Sequence, residues 1–231
     1  MSIYLDHNAT TPIRPEARDA VLKVMSIGGN PSSVHCCGRA ARTMLENARA
    51  DIARGVKARA EDVVFTSGGT EANNLAIEGA LSTGAVKRII TSATEHDAVS
   101  KCAESTGLPV ELIPVTPQGL ADLHWLQERL AGWNSQIDGT PLVCMQAVTS
   151  ETGVILPVVE AGALVRAAGG LFLVDAVQAL GKANFDFAAS GAHYAAISAH
   201  KIGGPQGCGA LILACDAPFD IPRKGGGQEK G

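Results

Sequence analysis

The sequence has no Cys-x-x-Cys pair, although it carries six cysteines at positions 36, 37, 102, 144, 208 and 215. Without paired spacing, and with most of them in apolar or helical context, they read as reduced thiols of a cytoplasmic protein. A disulfide framework and a metal site are both excluded on that reading. Positive charge is not in excess. The 19 Lys and Arg against 23 Asp and Glu leave a net charge of −4, which offers no footprint for nucleic acid or for an anionic membrane surface. No apolar run approaches the roughly 20 residues of a membrane helix. The start, Met1-Ser-Ile-Tyr-Leu-Asp, lacks a basic region followed by an apolar one, so no signal peptide is read there. Repeats and low-complexity segments are also missing. What is present is a chain of 231 residues, 46% hydrophobic and 18% charged, enough to bury a substantial core.

Tyr4 to Pro12 is too polar for a core strand and too poor in helix formers for a helix, so residues 1–14 read as an extended lead-in and residues 15–231 as the folded domain. Helical stripes are expected from Pro15 to Ser26 and from about Cys37 to Val56. From there short strands at Val63–Thr66, Arg88–Ser92, Val110–Pro114, Leu142–Ala147, Leu171–Val174, Tyr194–Ser198 and Ala210–Leu213 alternate with helices at Glu71–Leu81, Asp97–Ser105, Asp122–Ala131 and Val158–Ala168. That alternation predicts an α/β fold, a mostly parallel seven-stranded sheet with helices on both faces. Runs such as Leu-Phe-Leu-Val lack polar alternation, as strands buried on both sides do. The last residues, Arg223 to Gly231, are polar and glycine-rich and close no element, so the chain is expected to stop in mid-course.

In an open parallel sheet, ligands sit beyond the carboxyl ends of the strands, and four polar groups fall there. Ser67-Gly-Gly-Thr70 follows a strand and opens a helix, so its glycines and amides can cradle a phosphate; the plain alternative is a helix capped by Thr70 with Asn73 and Asn74 in solvent. It is neither a Walker loop nor G-x-G-x-x-G. His96 follows Thr94-Glu95 between a strand and a helix, where it can cap the helix or stack on a flat ring. Asp175 ends the most hydrophobic strand, where a carboxylate needs a cationic partner, and Gln178 lies about one helical turn further on. The alternative for Asp175 is a turn or a cap. Ser198-Ala-His200-Lys201 ends another apolar strand. There Ser198 offers a hydroxyl and Lys201 an amine that partial desolvation makes nucleophilic, unless Lys201 is an ordinary surface lysine. A phosphate cradle, a carboxylate for a pyridine nitrogen, a stacking ring and an imine-forming lysine are together the requirements of pyridoxal 5'-phosphate.

Seven stretches carry a family resemblance: Tyr4-Leu-Asp-His-Asn-Ala-Thr-Thr-Pro, Gly29-Asn-Pro-Ser-Ser-Val-His, Phe65-Thr-Ser-Gly-Gly-Thr-Glu-Ala-Asn-Asn, Glu95-His, Val174-Asp-Ala-Val-Gln, Ser198-Ala-His-Lys and Gly225-Gly-Gly-Gln-Glu-Lys-Gly. In order and spacing the chain resembles the cysteine desulfurases of the class V aminotransferase group, fold-type I enzymes of pyridoxal phosphate. The resemblance implies a homodimer that takes sulfur from L-cysteine, leaving L-alanine and an enzyme persulfide for an acceptor or iron–sulfur scaffold protein. Carried over by motif, Lys201 resembles the cofactor lysine, Asp175 the pyridinium partner, His96 the stacking ring and Gln178 the residue on the ring hydroxyl. Gly69, Thr70, Ser198 and His200 resemble phosphate ligands.

The chain departs from that pattern in two places. Thr149-Ser150-Glu151-Thr152-Gly153 stands where the family has Asn-Asn-Glu-Thr-Gly, putting Ser150 at the place of an asparagine. The family's C-terminal small domain, with its sulfur-accepting cysteine, is not matched by any segment. Cys208, between two glycines at a strand start, is expected to be a small buried filler. Two further readings stay open: a truncated chain without catalysis, and another class V enzyme such as an aminotransferase or selenocysteine lyase.

Overall fold

The computed structural model describes residues 3–220, 225, 226 and 228–230. Its helices and strands, in chain order, are α1 (Pro15–Met25), α2 (Cys36–Val56), β1 (Val63–Thr66), α3 (Gly69–Ser82), β2 (Val86–Ser92), α4 (Asp97–Ser105), β3 (Val110–Ile113), α5 (Leu123–Ala131), α6 (Ser135–Asp138), β4 (Thr140–Gln146), α7 (Val158–Ala167), β5 (Leu171–Asp175), α8 (Phe187–Ser190), β6 (Tyr194–Ser198) and β7 (Gly209–Leu213). All seven expected strands form, with ends displaced by two residues at most. The short helices α6 and α8 were not foreseen. Each has four residues, too few for a hydrophobic period, and each is held by its cap: Asn134 accepts from Gln136 N, and Asp186 from Ala189 N. Of the glycine-rich C-terminal motif, Gly227 and Gly231 lie outside the described residues.

The strands form one sheet in the order β1-β7-β6-β5-β4-β2-β3. β3, β2, β4, β5 and β6 run parallel, whereas β7 is antiparallel to both β6 and β1. The side-chain period of two divides the core cleanly. Val143, Met145, Phe172, Val174, Ala195 and Ile197 turn to the face covered by α2, α5, α7 and α8. Leu142, Cys144, Leu171, Leu173, Tyr194 and Ala196 turn to the face covered by α3 and α4. β5 is buried at every position, as expected of its unbroken apolar run. Helix α1, by contrast, buries no residue; Val21, Leu22, Val24 and Met25 are exposed. Cys208 is exposed as well, contrary to the expectation of a buried filler. It sits in the turn before β7, where its carbonyl accepts from Ala199 N at 3.0 Å while the thiol stays at the surface.

An edge strand needs its outward amides satisfied. At β1 this is done by Glu229, whose Oε2 accepts from Phe65 N at 2.7 Å. The same carboxylate takes two bonds from Arg49, at 2.6 and 2.9 Å, and Arg49 Nη1 also donates to Val63 O at 2.7 Å. Arg49 is 7% exposed and lies over the Phe65 ring. Removing Arg49 takes the donor from the Val63 carbonyl and the cation from the partly exposed Glu229 carboxylate, so Arg49→Ala is expected to lower stability by about 1–3 kcal/mol. Urea denaturation measures it; a loss near zero would show that the clasp contributes nothing.

Candidate functional site

A cavity of about 250 Å³ opens at the carboxyl ends of β4, β5 and β6, and it is bounded by the first turns of α3 and α4. All eight residues singled out from the sequence line it: Gly69 and Thr70 from the start of α3, His96 before α4, Asp175 and Gln178 after β5, and Ser198, His200 and Lys201 after β6. Ser150 lines it too.

The α3 end of the cavity is built from backbone. Gly68 and Gly69 open the helix, and no side chain caps it; Thr70 is exposed and is not the cap. Gly69 and Thr70, whose amides precede the first hydrogen bonds within the helix, line the cavity there. Close packing enforces the glycines. A Cβ on Gly69 would meet Val177 Cγ2 at 2.5 Å, and a Cβ on Gly209 would meet the Gly68 backbone at 2.6 Å.

Asp175 is 6% exposed. Its Oδ1 accepts from Val177 N at 3.0 Å and its Oδ2 from Asn73 Nδ2 at 2.9 Å. Both donors are neutral, and burial pushes the carboxyl above its usual range in spite of them. The cap reading of Asp175 thus holds geometrically, but one backbone bond leaves most of the charge uncompensated. Asn73 is 1% exposed rather than solvated, and its Oδ1 finds no partner. The alternative reading of this stretch, a Thr70 cap with Asn73 in solvent, therefore does not hold. Positions 69, 72, 73, 76, 77 and 80 are one buried helical stripe, and Asn73 falls on it. Gln146 and Val177 also line the cavity without having been anticipated.

The amine of Lys201 emerges from the short 3₁₀ turn Ala199–Lys201 that ends β6. Burial lowers its pKa, against the opposing pull of Asp175 and Asp6. Burial also lowers the pKa of His200. His96 is exposed and accepts from Ala98 N at 3.0 Å through Nδ1, so it caps α4 while lining the cavity.

The extended segment before α1 crosses this site. Lys201 Nζ donates to Asn8 O at 2.5 Å and to Ala9 O at 2.9 Å. Thr11 bonds back to the His200 and Lys201 carbonyls at 2.8 and 2.9 Å. Gln178 Nε2 donates to Asn8 O, Gln178 Oε1 accepts from Lys182 Nζ, and Asn8 Nδ2 donates to Ser150 O. No local sequence pattern joins the lead-in to these residues, since the bonds from it span 142 to 193 positions.

The donor set suits a phosphorylated pyridine. Open helix amides and the 198–201 turn suit an anion. The buried Asp175 carboxylate has only neutral hydrogen-bond donors, and a protonated ring nitrogen would give it a cation in direct contact. The orphaned Asn73 Oδ1 on the same wall is a further polar atom left for a ligand.

The family model described as aminotransferase class-V matches residues 3–230. Among curated relatives, an IscS-like cysteine desulfurase of Mycobacterium tuberculosis is 38% identical over 98% of this chain, which covers 59% of that protein. A cysteine desulfurase of Frankia sp. is 41% identical over 99% of this chain and 57% of its own length. The solved structure of a NifS-like protein from Rickettsia africae superposes with a TM-score of 0.90 at 36% identity, covering all of this chain and 63% of that one. The chain thus spans somewhat under two thirds of the length of these relatives. Among the described residues no helix is long and apolar enough to cross a membrane. With residues 3–230 matched and the sheet superposing end to end, the chain belongs to the class V aminotransferase family.

Proposed function

We propose that this chain is the cofactor-binding portion of a pyridoxal phosphate-dependent cysteine desulfurase. The observation that carries the reading is the convergence of eight sequence-selected residues on one cavity whose buried Asp175 carboxylate is hydrogen-bonded only by neutral donors, with Lys201 and His96 acting on it from a distance. When bound, pyridoxal phosphate supplies an electron sink for the pair released as a bond to the substrate Cα breaks.

The chain's own residues do the rest. Asp175 would hold a proton at the ring nitrogen, because burial disfavours its charge and a cation in direct contact would offset that. The amides of Gly69 and Thr70, with Ser198 and His200, hold the phosphate at the α3 N-terminus. His96 stacks on the ring face, and Gln178 addresses its hydroxyl. Lys201, whose pKa is lowered by burial, presents a free amine to the cofactor aldehyde and then moves a proton at the substrate Cα. Loading would require Lys201 Nζ to release the Asn8 and Ala9 carbonyls.

From the resemblance we carry over L-cysteine as substrate, L-alanine as product, a homodimeric whole protein in the cytoplasm, and an acceptor or iron–sulfur scaffold protein as recipient of the sulfur. None of the cysteines here lies at the family's sulfur-accepting position, so that step is assigned to the remainder of the whole protein.

The test is spectroscopic. With pyridoxal phosphate bound, L-cysteine is expected to shift the visible absorbance band of the chain at concentrations where L-alanine and L-serine do not. An equal response to all three would remove the substrate assignment and favour a different class V enzyme.

A further inference from the structure

Glu95 plays no part in the account so far, yet it is among the most constrained side chains near the cavity. Strand β2 ends at Ser92, and the turn Ala93–His96 leads into α4. Glu95 Oε1 accepts from the backbone N of Gln146 at 2.7 Å and from Ser92 Oγ in a short contact. Gln146 returns the bond, its side-chain amide donating to Thr94 O. The paired residues of β2 and β4 end at Thr91 and Cys144. The Glu95 carboxyl therefore takes the place of a strand partner just beyond the ladder, at the residue that stands opposite Asp175 in β5. The other carboxyl oxygen, Oε2, is buried without a hydrogen-bond partner. Glu95 as a residue is partly exposed, but its Oε2 does not reach solvent.

We propose that Glu95 is a positioning residue of this site: its carboxyl group staples the turn that carries His96 onto the end of β4, and so sets where the His96 ring stands. This rests on the reading of the cavity as the cofactor site. The titratable groups facing Glu95 are Asp175 from β5 and Cys144 from β4, and neither offers positive charge. Burial, with the Asp175 charge adding to it, pushes the Glu95 carboxyl up to about 8. In the unfolded chain the group ionises in the ordinary carboxylate range. The native state therefore holds the extra proton, and stability falls as pH rises from that range through about 8. Ionisation within the fold places an unpaired charge at Oε2 and loosens the staple.

The experiment compares Glu95→Ala and Glu95→Gln with the parent chain. In the cofactor-free chain, amide hydrogen exchange at Gln146 and at Ala98, the residue capped by His96, is expected to accelerate roughly tenfold or more in Glu95→Ala and to stay near the parent rate in Glu95→Gln. With pyridoxal phosphate bound, the visible circular dichroism of the parent chain should titrate near pH 8, and that of Glu95→Gln should stay flat from pH 6 to 9. If Glu95→Ala does not fold, the pH comparison between the parent and Glu95→Gln decides alone. Unchanged exchange at both amides in a folded Glu95→Ala, or a Glu95→Gln chain that still titrates like the parent, overturns the proposal. A parent chain with no cofactor band at all overturns the cofactor reading instead, and the exchange result then judges the staple by itself.

Discussion

Asp175→Asn is expected to stabilise the cofactor-free chain while weakening its affinity for pyridoxal phosphate by about 10²–10³-fold, since breaking a buried charge pair costs roughly 3–4 kcal/mol. The two halves of this prediction have opposite signs for one reason. Without a ligand, the carboxylate is buried between neutral donors, and its pKa is raised above the unfolded value. A group shifted that way subtracts stability as pH rises through its folded pKa. An amide removes the charge and keeps the shape. It also gives the orphaned Asn73 Oδ1 a donor once the Asn73 amide turns over. A rise of about 1–2 kcal/mol at neutral pH is expected on removing an uncompensated buried charge. The cofactor, however, loses the counter-charge at its ring nitrogen. Thermal unfolding and a binding titration, run on the same preparation, read both signs. Loss of stability with unchanged affinity would mean that Asp175 only caps the turn through Val177.

Lys201→Ala is expected to abolish covalent attachment of the cofactor altogether and to leave folding intact. The side chain contributes nothing to either hydrophobic cluster, and its two bonds are to carbonyls of the exposed N-terminal segment. Each such bond is worth about 1 kcal/mol at most, so the loss in stability is small and the loss in chemistry complete. Ring stacking and phosphate contacts remain, and the variant should still bind cofactor reversibly. Absorbance after gel filtration separates the cases: the parent chain keeps its visible band, and the variant loses it. A variant that keeps the band would place the reactive amine elsewhere. Lys182 is the nearest competitor, since it bonds Gln178 at the cavity wall and its pKa is also lowered by burial.

Much of this arrangement was readable before any coordinates. Asp175 and Lys201 were visible because each is a polar residue ending an apolar run, and strand ends are where a parallel sheet gathers its ligands. The fold was visible because β4, β5 and β6 carry no polar alternation at all. Local pattern could not show what depends on distant pairing. The crossing of Asn8–Thr11 over Lys201 joins segments near opposite ends of the chain, and nothing in either stretch announces the other. The burial of the Glu95 carboxyl was not legible, because it depends on the ends of β2 and β4, which neighbour each other in the sheet but lie about 50 positions apart in the chain. Cys208 was misjudged because free cysteines are usually buried, whereas here Gly207 and Cys208 form an exposed turn before the buried Gly209.

The central claim is that one amine, at the end of β6, holds the cofactor in this cavity. Incubating the chain with pyridoxal phosphate, reducing with borohydride, digesting and mapping the peptides by mass tests it most directly. The account predicts a phosphopyridoxyl adduct at Lys201 and none at Lys182. An adduct at Lys182, or one spread over surface lysines in proportion to their exposure, would contradict it.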